Sequence, residues 1–221
     1  MLKQILEKLK TLGETSRFDP SAFNDTIASL TEWTPRKGGG SNFKTHQLTK
    51  LDADRMEFRA SLGAKLFYLI FLLAGLGMVV FVLSSVVSKG RFALETQTLM
   101  PMGMGVVFAI VGGVLFYFGT APIVFNKLKG CYWKGRKCPD EVIHKEELKN
   151  YTGLDQIHAI QLISEYCRGN KSSYYSYELN LVLNDGSRLN VIDHGNKEKI
   201  RDDAEKLGEF LGVPVWDAIG R

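Results

Sequence analysis

Between Lys65 and Lys89 the chain runs from Leu66 to Ser88 without one charged side chain, and a segment of that kind leaves few folds open. At about 1.5 Å of rise per helical residue, its roughly 23 residues cover about 35 Å, enough to cross a hydrocarbon layer of about 30 Å with some tilt. A second run without Asp, Glu, Lys or Arg follows from Thr96 to Asn126, with a core, Leu99–Phe125, dominated by Val, Ile, Leu, Phe, Met and Gly. Whole-chain composition conceals both. A hydrophobic fraction of 45% and a mean hydropathy of -0.06 describe an ordinary soluble chain, because polar flanks dilute the two runs. A core helix of a soluble protein keeps one polar stripe, whereas these runs are apolar all round. Leu66–Ser88 also begins too far from Met1, and without the charged start, to be a cleaved leader. The expected organisation is an α+β membrane protein in three parts. Residues 1–64 form N-terminal helices and a linker, residues 65–126 a transmembrane hairpin with spans near 66–88 and 99–125, and residues 127–221 a polar domain.

Basic residues set the expected orientation. Lys50, Arg55, Arg59 and Lys65 approach the first span, and Lys127, Lys129, Lys134, Arg136 and Lys137 follow the second, while the connecting loop has only Lys89 and Arg91. Lys and Arg near a span resist translocation, so both termini are expected in the cytoplasm, with a loop of roughly ten residues outside. The net charge of +4 does not suggest nucleic acid, whose binders concentrate Lys and Arg on one face. The local cluster matters more. Five basic residues and no acidic one lie between Lys127 and Lys137, and each gains on the order of 1 kcal/mol from anionic lipid headgroups. They either recognise lipid or only anchor the topology.

No pattern announces chemistry. Cys131, Cys138 and Cys167 are odd in number and form no C-x-x-C pair, which implies reduced thiols. His46, His144, His158 and His194 are scattered, so no metal and no cofactor are expected; a tertiary cluster of Cys131, Cys138 and His144 is the alternative. Gly38-Gly39-Gly40 lacks the leading strand and trailing Lys of a phosphate-binding loop and reads as a flexible connection. Asp193-His194-Gly195 is either an anion-receiving site at a helix start, in a sensor or enzyme, or a structured turn. Tyr175, beside Tyr166, Tyr174 and Tyr177, is either a partner contact or part of a strand's core face. No catalytic residue emerges, and a non-enzymatic interaction protein is expected, with a protein partner or a second copy of itself.

Local patterns supply the elements. Leu2, Ile5, Leu6, Leu9 and Leu12 oppose Lys3, Glu7, Lys8 and Lys10 in an amphipathic helix that lies on the membrane interface or on the polar region. A second helix starts at Asp19-Pro20, presents Phe23, Ile27, Leu30 and Trp33, and ends at Thr34-Pro35. In the second span Gly105, Ala109 and Gly113 recur every four residues and face Gly75 of the first span, or another subunit, for close helix packing. Two short strands flank Lys129-Gly130, and a strand covers Ile157–Glu165. Tyr174–Leu183 and Ser187–Ile192 form a hairpin around Asn184-Asp185-Gly186. A helix from Asn196 to Leu211 carries Ile200, Ala204 and Leu207 on one face and stops at Gly212. One antiparallel sheet over residues 127–221, closed by this helix, is the expected polar domain.

Several of these stretches resemble a family. Phe125-Asn126, Tyr132-Trp133-Lys134-Gly135, Ser176–Gly186 and Phe210-Leu211-Gly212-Val213-Pro214-Val215-Trp216, with Trp33-Thr34-Pro35 and Gly39-Gly40, look like uncharacterised bacterial two-span inner-membrane proteins. Their C-terminal region is similar to pleckstrin-homology-like (PH-like) domains. The order of spans and domain is also similar to that of a photosystem I assembly factor. The resemblance implies a bacterial inner-membrane scaffold that binds protein or lipid, with Lys127, Lys129, Lys134, Arg136 and Lys137 near the position where relatives of the fold hold lipid headgroups.

Overall fold

The computed structural model describes residues 18–36, 38–89, 96–141, 150–168 and 172–220. The expected amphipathic helix at Leu2–Leu12, and Lys37, Arg91 and His144, lie outside the described residues. The chain divides into two compact units: residues 43–154, and residues 18–42 together with 155–220.

The first unit is a sheet with a helical hairpin inserted in it. Strands β1 (His46–Lys50), β2 (Arg55–Ala60), β3 (Ile123–Asn126), β4 (Cys131–Lys134) and β5 (Tyr151–Gly153) form an antiparallel sheet in sequence order. In β2, buried Met56, Phe58 and Ala60 alternate with Arg55, Glu57 and Arg59, as the period of two requires. Between β2 and β3 run two helices, Leu62–Lys89 and Thr96–Gly119. The second apolar run therefore does not stay helical to Phe125. Its helix stops at Gly119, Pro122 has no N–H to continue it, and Ile123-Val124-Phe125 turns extended and pairs with β2, Phe58 opposite Ile123.

Both joints between sheet and hairpin are short. Ser61 alone separates β2 from the first helix: its Oγ accepts the Ala64 N–H at 3.1 Å and donates to the Lys44 carbonyl at 2.6 Å. On the return, Thr120 Oγ1 donates to the Phe116 carbonyl at 2.6 Å, and Gly135 N–H reaches the Pro122 carbonyl at 2.9 Å. The helices pack against each other within the chain. A Cβ on Gly75 would come within 2.7 Å of the Gly105 carbonyl and 2.8 Å of Ala109 Cα, and one on Gly105 within 3.0 Å of Val79. The next close approach falls at Gly112, where a Cβ would stand 2.7 Å from Leu72 Cα. At Gly113 the nearest atom is a Leu72 methyl at 4.0 Å. At 3.6 residues per turn a seam advances by four and then by three, so Gly112 follows Ala109.

The second unit holds β6 (Ile157–Arg168), β7 (Ser173–Leu183), β8 (Arg188–His194) and β9 (Val215–Asp217) in the order β8-β7-β6-β9. The hairpin turn at Asp185-Gly186 is as expected, with Gly186 at φ 80°. The C-terminal helix, Lys197–Leu211, is capped by Asn196, whose side chain accepts the Lys199 N–H, and stops at Gly212 with φ 76°. Its buried Ile200, Ala204 and Leu207 lie over the sheet face that carries Ile160, Leu162, Leu179 and Leu181. The helix carries the chain from β8 across to β9, which runs parallel to β6.

Two expectations are corrected here. Residues 127–221 do not form a single antiparallel sheet: β4 and β5 join the sheet of β1–β3, because β3 and β4 are a tight hairpin whose outer edge β2 has already claimed. Nor is Asp19–Trp33 one helix. Asp19 caps only a 3-10 turn, Pro20–Phe23; Asn24 takes φ 49°, and Asp25 caps a separate helix, Thr26–Leu30. The break turns Leu30 outward, 75% exposed, while Phe23, Ile27 and Trp33 pack on Ala28, Ala159, Val182 and Trp216.

Candidate functional site

At the foot of the hairpin, the five expected basic residues all fall in the first unit with unequal surroundings. Arg136 is fixed: its Nη2 donates to Thr120 Oγ1 at 2.6 Å and to the Tyr117 carbonyl at 3.3 Å, and its guanidinium lies 5.1 Å from the Tyr117 ring centre. Lys129 is paired with Asp140 at 2.5 Å and touches Cys138 Sγ at 2.8 Å. Asp140, and then Cys138, hold its ammonium above the usual lysine range. Lys127 and Lys137 are exposed and Lys134 is half-buried. Sequence reasoning missed a charged group on β2. Glu57, 2% exposed, receives Arg55 Nη2 at 2.6 Å and Arg59 Nε at 2.8 Å, both on the same strand face. The R-x-E-x-R spacing was its only signal.

In the second unit the glycine run is not a loose connection. Residues 31–36 and 38–40 lie as a strap over the sheet face opposite the C-terminal helix. Gln161 Nε2 donates to the Glu32 carbonyl at 3.0 Å and Arg188 Nη1 to the Thr34 carbonyl at 2.9 Å. Arg36 N–H donates to Glu178 Oε2 at 3.0 Å, and the Gly39 and Gly40 N–H groups to the two oxygens of Glu165 at 2.9 and 3.1 Å. Tyr174 OH closes the series on the Gly40 carbonyl at 2.9 Å. Glu178, Asn180 and Gln161 beneath the strap are fully buried. Burial pushes the Arg188 guanidinium below its ordinary range, against the pull of Glu32 and Glu178. Burial likewise raises the Cys167 thiol, with Glu165 adding to it. An open cleft of about 550 Å³ beside the strap is lined by Leu30, Glu32, Arg36, Asp185 and Arg188.

The remaining expected residues lie apart. Tyr175 is 56% exposed, and its ring meets that of Tyr166 at a tilt, with centroids 5.1 Å apart. At the Asp193-His194-Gly195 turn, His194 is buried and its Nδ1 accepts the Asn196 N–H at 2.9 Å, while Asp193 accepts from Asn190 Nδ2 at 3.0 Å. The His194 bond ties the turn to the N-cap of the C-terminal helix, and the Asp193 bond stays within β8. Among the described residues no group of three or more His, Cys, Asp or Glu is placed to hold a metal ion. Comparison with family models, with curated proteins and with solved structures finds no match.

Proposed function

We propose that this chain is a non-enzymatic inner-membrane scaffold of bacterial type, held by its helical hairpin with both termini in the cytoplasm, and that its polar part binds a protein partner. The observation that carries the reading is the insertion of two long apolar helices between paired neighbours β2 and β3, so that both helices leave from one sheet. In their most apolar 18-residue windows the helices reach mean hydropathies of 2.8 within Leu62–Ser88 and 2.2 within Thr98–Gly119, and only 11% of each window is buried. Ile70, Val80, Phe81, Val107 and Phe118 are among the side chains left uncovered. A surface of that size in water is an aggregation site, and lipid is the solvent that suits it. Arg136, pinned at the last turn of the second helix, then sits where a cation reaches the headgroups. In this reading residues 127–221 carry the PH-like character that the family resemblance implies, and Tyr175 belongs to the binding surface.

Membrane fractionation with a reporter after Arg221 tests the anchoring. The expected result is a carbonate-resistant membrane protein whose cytoplasm-dependent reporter is active; a reporter active only outside reverses the orientation. A photo-crosslinking residue at Tyr175 tests the binding: one reproducible adduct in native membranes is expected, with none from the buried position Leu207. Equal yields from both positions would sink the assignment.

A further inference from the structure

We infer that the sheet face beneath residues 32–36 and 38–40 is a docking groove for an extended, basic segment of a partner protein, with the chain's own strap seated there as an intramolecular stand-in. The groove addresses main chain. Gln161, Arg188, Glu178, Glu165 and Tyr174 bond to the carbonyls of Glu32, Thr34 and Gly40 and to the N–H groups of Arg36, Gly39 and Gly40. Any extended segment carries those groups, so another chain can replace the strap bond for bond.

What selects the segment lies at the two ends. Trp33 stacks on Phe23 at 5.4 Å and contacts Trp216 at 5.9 Å, forming an aromatic anchor. At the far end a Cβ on Gly40 would come within 2.7 Å of Ser176 Cβ, so a residue without a side chain fits there. Carboxylates of Glu165 and Glu178 outnumber the Arg188 guanidinium along the groove, and the strap's own Glu32 already meets Arg188 at 3.2 Å, so the surplus charge of the groove is negative and suits a basic segment. The strap is also an incomplete fit. With it in place, Ser176 Oγ and Asn180 Oδ1 are buried and make no hydrogen bond. Water satisfies both when the strap lifts, and a competing segment that brings a donor to Asn180 Oδ1 meets a demand the strap leaves open.

This places the partner on the second unit, and it rests on the binding reading above. The test uses the full-length protein in nanodiscs and a labelled synthetic peptide with the sequence of residues 31–42. Gly40→Val unseats the strap through its contacts with Ser176 and Glu165 while leaving every groove side chain itself unsubstituted. The peptide should bind this variant about tenfold or more tightly than wild type, where the tethered strap competes, and a Trp33→Ala peptide should lose that affinity. Equal binding to wild type and variant, or no binding to a variant with a native far-UV spectrum, overturns the proposal. Should Gly40→Val fail to fold, hydrogen exchange on wild type decides. The Arg36, Gly39 and Gly40 amides should exchange together, about 100-fold faster than those of Leu179 and Leu181, and exchange as slow as the strands overturns the groove. A failed peptide assay beside a positive Tyr175 adduct removes the groove and leaves the binding reading standing.

Discussion

Asp25 does two things at once. Its Oδ1 accepts the Ile27 and Ala28 N–H groups at 2.8 and 3.3 Å, and its Oδ2 meets His158 Nε2 at 2.7 Å. Partial burial works to raise its pKa, but the His158 hydrogen bond and the two backbone donors outweigh it and leave the carboxyl below the usual range. The folded state thus holds this proton less tightly than the unfolded chain. The stabilisation is present above the ordinary carboxylate pKa and is lost as pH falls through the folded value. Asp25→Ala should cost about 1 kcal/mol by chemical denaturation at neutral pH, and the difference from wild type should shrink in acid. Two adjacent glycines make a second comparison. Gly112→Leu should separate the helices and lower the melting temperature in detergent, while Gly113→Leu, with open space to a methyl 4.0 Å away, should change it little. Similar losses at both positions would place the seam elsewhere.

Among elements, the C-terminal helix and the β7–β8 hairpin were the most legible. Their information is local: Asn196 and Gly212 cap the helix, Ile200, Ala204 and Leu207 recur at helical spacing, and Asp185-Gly186 supplies the turn. Leu207 is completely buried against the sheet, so Leu207→Ala should cost about 2–5 kcal/mol in denaturant unfolding. A loss below about 0.5 kcal/mol, the level of an ordinary surface change, would mean the helix is not packed as described. β2 went unread because its apolar residues are only Met56, Phe58 and Ala60, set among charges, and its pairing partner β3 lies beyond the hairpin. β9 was missed as a strand for a similar reason: three residues after a proline carry no periodicity, and parallel pairing with β6 defines them.

For the whole molecule, the insertion of the hairpin makes a direct test possible. Phe58 pairs with Ile123, so the same register carried two residues on brings Ala60 opposite Ala121. Replacing residues 61–120 with Asn-Gly should give a protein that is recovered without detergent and keeps a mixed α and β far-UV spectrum, because a two-residue turn suits an antiparallel pair. Aggregation of that variant would show that the helices hold the sheet together. The identity of the apolar runs, the turn and the caps was written locally, since hydropathy and backbone preference act over a few residues. Where the second run changes from helix to strand, which sheet receives β4 and β5, the Arg-bracketed Glu57, and the seating of Gly39-Gly40 on Glu165 all depend on partners far along the chain. Their energies come from contacts that no window of sequence contains, and they exist only once the distant segments have met.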